Sequence, residues 1–188
     1  MLISHGASIT IPSRYSLTPL NKTVKNNYKE LVELLQKNLP KPNTYKFYQT
    51  PLQTAIKKND LEMANFLISL GADVNEICRS DDSTALIKAV EGDNKEIVEY
   101  LLSQGADANI KSKYKTTLSA AASKENLEII KILVDHGADM NQIGHEAPLH
   151  IAARIGNDVL VDFLISHGAD VNVLDENGEF SSSCSHHE

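Results

Sequence analysis

Tryptophan is absent and aromatic residues make up only 5% of the 188-residue chain, which excludes a single core built around large rings and suits many small aliphatic interfaces. Cysteine is nearly absent too. Cys78 and Cys184 lie far apart, so there is no disulfide framework or paired-cysteine zinc site, and a reducing compartment is expected. No run approaches the roughly 18 apolar residues of a membrane span. The opening Met1-Leu2-Ile3-Ser4-His5 lacks the basic segment and apolar stretch of a secretory signal. A soluble, cytoplasmic chain is therefore expected, with the nucleus open, or host cytosol if the protein is an effector of an intracellular microbe. Positive charge is in short supply, with 18 Lys and Arg against 25 Asp and Glu and a net charge of −7. Generic nucleic-acid binding needs a basic footprint to displace phosphate counterions, so it is not expected. Glycine-rich phosphate loops, nucleophile elbows and paired His-Glu metal motifs are also missing. No catalytic residue, cofactor or metal ligand is assigned, and an enzyme is not expected.

What the chain has is repetition. Gly71-Ala72-Asp73-Val74-Asn75, Gly105-Ala106-Asp107-Ala108-Asn109, Gly137-Ala138-Asp139-Met140-Asn141 and Gly168-Ala169-Asp170-Val171-Asn172 are four versions of one phrase, with successive glycines 34, 32 and 31 residues apart. Such a period signals stacked supersecondary units. A second phrase keeps register 21 positions upstream: Thr18-Pro19-Leu20, Thr50-Pro51-Leu52, Thr84-Ala85-Leu86, Thr116-Thr117-Leu118 and Ala147-Pro148-Leu149. Threonine caps a helix N-terminus and proline is tolerated in its first turn, so each marks a helix start. A polar break such as Lys124-Glu125-Asn126 follows, then a second helix such as Leu127 to Val134. Its apolar residues fall in adjacent pairs about four apart, as expected of a helix buried on two sides. Glycine then supplies the left-handed residue that closes it.

Two phrases in register resemble the ankyrin repeat, whose length of about 33 residues and Thr-Pro-Leu-His wording they match. The resemblance implies an all-α solenoid of stacked antiparallel helix pairs joined by β-hairpin-like loops. The expected divisions are the tail of a truncated repeat over 1–12, a degenerate repeat 1 over 13–44, and repeats 2 to 5 over 45–78, 79–110, 111–141 and 142–174. An aborted repeat and disordered tail are expected over 175–188. The unit from Ala147 to Asn172 fits best. Repeat 1 has Leu39-Pro40-Lys41-Pro42-Asn43 where the Gly phrase belongs. The family's His occurs only as His150, with Asn21, Gln53, Ile87 and Ser119 at the other four positions. That leaves the family's inter-repeat hydrogen bonding open at four units. Both ends look cut, which suggests a fragment of a longer array.

Most chemistry-bearing residues have structural readings. His5, His136 and His167 recur just before the repeat glycine, and His150 is the family's own structural His. Carboxylate pairs such as Glu30 and Glu33, Glu96 and Glu99, and Asp158 and Asp162 belong to a solvated outer face of the second helices.

The resemblance also places the binding surface, because partners of ankyrin arrays contact hairpin tips and exposed first-helix positions. Carried over by register, the candidates in the first two repeats are Arg14, Tyr15, Lys46, Phe47, Tyr48, Lys57 and Lys58. In the third they are Asp81, Asp82 and Glu91. The fourth and fifth contribute Lys113, Tyr114, Lys115, Lys124, Ile143, His145 and Arg154. Lys25 and Glu146 fall on the same predicted face. Nine cations then oppose four carboxylates on an acidic chain, a face that would steer an acidic partner segment. The expected function is that of a non-catalytic, monomeric protein-interaction scaffold or adaptor. The alternatives are the regulatory arm of a larger enzyme or channel, or a microbial effector acting on host proteins. Asn75, Asn109, Asn141 and Asn172 resemble sites of asparaginyl hydroxylation and are candidates for it in a eukaryotic cell.

Overall fold

The computed structural model describes residues 18–38, 49–78 and 81–174, and Arg14, Tyr15, Lys46, Phe47, Tyr48 and Cys184 lie outside them. The chain divides into two compact units, Met1–Ala85 and Leu86–Glu188. The first carries α1 (Pro19–Lys25), α2 (Lys29–Asn38), α3 (Pro51–Lys57) and α4 (Leu61–Ser69). Helix α5 (Ala85–Glu91) begins at the division. The second continues with α6 (Lys95–Ser103), α7 (Thr117–Ala122), α8 (Leu127–Asp135), α9 (Pro148–Ile155) and α10 (Asp158–Ser166). In the first unit α1 packs on both α2 and α3, and α3 packs on α4; in the second, α7 packs on α8 and α9, α6 on α8, and α9 on α10.

Local chemistry sets each helix. The hydroxyls of Thr18, Thr50 and Thr116 accept from the backbone N–H of Asn21, Gln53 and Ser119, and proline opens α1, α3 and α9. At Ala147 no side chain caps α9. The second helices α4, α6, α8 and α10 are capped by Asp60, Asn94, Asn126 and Asn157, each accepting from the N–H three residues on. Between the helices of a pair the chain turns through one left-handed residue: Asn27, Asn59, Asp93, Glu125 and Gly156 have φ of 57°, 59°, 55°, 56° and 71°.

The Gly phrase closes α4, α6, α8 and α10 as its composition requires. Gly71, Gly105, Gly137 and Gly168 take φ of 87°, 86°, 80° and 101°. The N–H of Ala72, Ala106, Ala138 and Ala169 returns to the carbonyl of Leu67, Leu101, Leu133 and Leu164, which is the Schellman closure. The following Asp carboxylate then accepts from the N–H of the Asn two residues on, at 2.8 to 2.9 Å in all four copies.

Burial of the second helices on two sides holds for α6 and α8 but not for α2 and α10, where Leu31, Leu34, Val159 and Ile165 are exposed. Ile97, Val98, Leu101, Ile129, Ile130 and Leu133 are all inaccessible or nearly so. The outer carboxylates Glu30, Glu96, Glu99, Asp158 and Asp162 are exposed.

Candidate functional site

Polar residues staple successive repeats together, and they account for much of the sequence that the repeat phrases leave unexplained. Asn21 Nδ2 donates to the Gln49 carbonyl at 2.6 Å, and Gln53 Nε2 to the Ser83 carbonyl at 2.7 Å. Two of the four His replacements therefore supply an inter-repeat hydrogen bond, because an amide reaches the next loop from the same helix position. Ser119 is too short and bonds within its own helix cap, to Thr116. His150 is buried.

The Asn of the Gly phrase forms a second ladder. Asn109 Nδ2 donates to the Gly137 carbonyl at 2.9 Å while its Oδ1 accepts from Asp139 N–H at 2.8 Å. Asn141 repeats this with Gly168 at 3.2 Å and Asp170 at 2.8 Å. A side chain that donates and accepts on the same neighbouring turn fixes the spacing between units.

Of the expected binding residues, Asp81, Asp82, Lys113, Tyr114, Lys115, Ile143 and His145 lie in the described loops between repeats. In the tip of repeat 4, Ser112 N–H donates to the Lys115 carbonyl at 2.8 Å, which closes a tight turn around Lys113 and Tyr114. Tyr114 is 55% exposed and the Lys113 ammonium lies 5.1 Å from its ring centre. The tip of repeat 5 is tied to this turn through backbone: His145 N–H donates to the Tyr114 carbonyl at 2.7 Å. A side-chain carbon on Gly144 would stand 2.6 Å from the Tyr114 carbonyl oxygen and 2.9 Å from Lys115 Cα. Gly144 was not marked by either repeat phrase, and only the packing identifies it.

Charge on this face is more locally compensated than the sequence suggests. Glu91, at the end of α5, receives Lys88 at 2.9 Å on one carboxylate oxygen and Lys115 at 3.3 Å on the other. Burial pushes the Glu91 carboxyl up, but the two ammonium groups outweigh it and hold it below the usual carboxylate range. Arg154 makes a two-pronged pair with Glu146, Nε to Oε1 at 3.2 Å and Nη2 to Oε2 at 2.9 Å. Lys124 and His145 are exposed and Ile143 is half-buried. In the first unit Lys57 and Lys58 are exposed, and Lys58 Nζ donates to the Lys25 carbonyl at 2.7 Å. Asp81 is turned into its own hairpin, where it accepts from Ser83 Oγ at 2.6 Å and Cys78 Sγ at 2.8 Å. Its neighbour Asp82 is exposed with φ of 52°.

The family model described as Ankyrin repeats (3 copies) matches overlapping stretches over residues 1–78, 20–112, 76–144 and 111–175. The chain belongs to the ankyrin-repeat family. No curated protein matches it. Ankyrin repeats are generally protein–protein interaction modules and are typically non-catalytic. Among the described residues of this ankyrin array, no group of three or more His, Cys, Asp or Glu could hold a metal ion. No described helix is long and apolar enough to cross a membrane.

One carboxyl near the ankyrin turns behaves unusually. Burial, with a smaller contribution from Asp73, pushes Glu76 up to about 7. A raised carboxyl pKa gives stability that is present below the unfolded value near 4.5 and lost as pH rises through about 7. Glu76→Gln removes the penalty for the charged form. After allowance for partial exposure, E76Q is expected to be more stable than the parent by roughly 1–2 kcal/mol at about pH 8 and equal to it near pH 4.5. Urea unfolding of both chains at the two pH values measures this, and equal gains at both would show that ionisation is not the cause.

Proposed function

We propose that this ankyrin array is a non-catalytic scaffold or adaptor that binds protein partners through its hairpin tips and first-helix positions. The observation that carries the reading is Tyr114: an aromatic more than half exposed, on a turn that is closed by its own hydrogen bond and held against the next tip through backbone. A rigid, exposed aromatic beside cationic residues is the kind of anchor from which interface hot spots are made. The neighbouring candidates in the second unit are Lys113, Lys115, Lys124, Ile143, His145 and Arg154, with Glu91. Lys57, Lys58, Asp81 and Asp82 are the described candidates of the first unit.

Selection of ligands from an unbiased peptide library, followed by titration against Tyr114→Ala, tests the reading. Removal of a hot-spot aromatic is expected to weaken the selected ligands about tenfold or more, a cost of roughly 1.4–2 kcal/mol. The thermal midpoint should stay unchanged, since the ring is exposed. Ligands that bind Y114A as tightly as the parent would place the binding face elsewhere. For Asn109 and Asn141 the ladder supports a structural role, whether or not either is hydroxylated.

A further inference from the structure

The second unit separates its charges between two faces. The outer face of α6, α8 and α10 carries Glu96, Glu99, Glu128, Asp158 and Asp162 against Lys95 and Lys131. The tips and first-helix positions carry Lys88, Lys113, Lys115, Lys124 and Arg154 against Glu91 and Glu146. Those two carboxylates are not scattered among the cations. Each is paired: Glu91 with Lys88 and Lys115, and Glu146 with Arg154. Lys115 and Arg154 are half-exposed, so both pairs lie within reach of an incoming ligand. Exposed ion pairs of this kind contribute little net stability, of order 0–1 kcal/mol, and are exchanged cheaply. Lys88 differs. Its side chain is only 10% exposed, so its contact with Glu91 belongs to the fold.

We propose that this face takes an extended acidic segment of a protein partner, whose carboxylates replace Glu91 at Lys115 and Glu146 at Arg154. The inference deepens the proposed function and rests on it. Glu91 and Glu146 then act as placeholders: they hold the Lys115 and Arg154 head groups in place and lower affinity for weakly acidic competitors. The bidentate geometry at Arg154 is the one a partner carboxylate would adopt in its place. The acidic outer face of the same unit repels such a segment, which confines it to the tips.

A fluorescein-labelled peptide of alternating Glu and Ser, followed by anisotropy, tests the exchange. Glu146→Gln is expected to tighten binding about threefold, because the Glu146 carboxylate no longer competes for Arg154. K115Q combined with R154Q should weaken it about tenfold, and rising salt should weaken binding to the parent. Glu91 is left intact, since its loss would strip Lys88 of a carboxylate. Unchanged or weaker binding by E146Q overturns the placeholder role. Equal displacement by heparin from parent and K115Q/R154Q indicates generic polyanion adsorption and overturns the proposal, as does self-association of the chain at the concentrations used. If library ligands depend on Tyr114 but are not acidic, the acid preference falls and the binding face stands. If no ligand depends on Tyr114, the face itself falls.

Discussion

Leu133→Ala is expected to cost about 3 kcal/mol or more and to uncouple α8 from its neighbours. Leu133 is fully inaccessible on α8, and its carbonyl also receives the Ala138 N–H that closes the helix. Truncation of a buried leucine loses the transfer energy of its methyl groups and leaves a cavity, which together cost about 2–5 kcal/mol. A close-packed repeat interface has little room to collapse, because Ile129 and Ile130 on the same helix are equally buried. In a solenoid each unit is stabilised mainly by its neighbours, so damage in repeat 4 removes support from repeats on either side. Urea unfolding should show an earlier and broader transition. Hydrogen exchange should report faster opening of α8 than in the parent. An unchanged midpoint would mean that Leu133 does not sit in a packed interface.

Gly144→Ala is expected to destabilise by about 1–3 kcal/mol, the range for forcing an extra carbon into a packed site. Gly137 and Gly144 are glycines for different reasons. At Gly137 the backbone is left-handed with φ of 80° and the space around an added carbon is open, so G137A costs only the conformational term, roughly 1–2 kcal/mol. At Gly144 an added carbon meets backbone on Tyr114 and Lys115, neither of which can swing aside as a side-chain end would. The two tips must separate, and the His145 N–H to Tyr114 carbonyl bond is strained or lost. G144A therefore carries a functional consequence that G137A lacks: it displaces the turn that presents Tyr114. Ligands selected on the parent should bind G144A about tenfold more weakly, while binding to G137A should change little below its unfolding midpoint. Equal losses in the two variants would show that tip packing does not position the binding residues.

Much of the candidate face was legible in register, because Lys113, Tyr114 and Lys115 lie between one Gly phrase and the next threonine start. Its electrostatics were not. A count of cations and carboxylates on the predicted face gave strong positive excess, but Lys115 and Arg154 turn out to be held by Glu91 and Glu146. The pair Glu91–Lys115 joins residues 24 positions apart, in a helix and in the following loop. No local spacing announces it. The same holds for Asn21 and Gln53, which depart from the family's wording yet preserve its inter-repeat hydrogen bond by reaching carbonyls 28 and 30 positions away. Asp81 shows another contact that register does not reveal: its carboxylate accepts from Cys78 and Ser83.

The sequence by itself determined the period, the helix pairs, their caps and the left-handed glycines. Each of these depends on interactions within a few residues along the chain, where residue type and spacing dictate geometry. Tertiary structure alone decided which amides bridge repeats, which cations are already neutralised and why Gly144 admits no side chain. Those outcomes depend on distances across the stack, and an error of an ångström there separates a hydrogen bond from a clash.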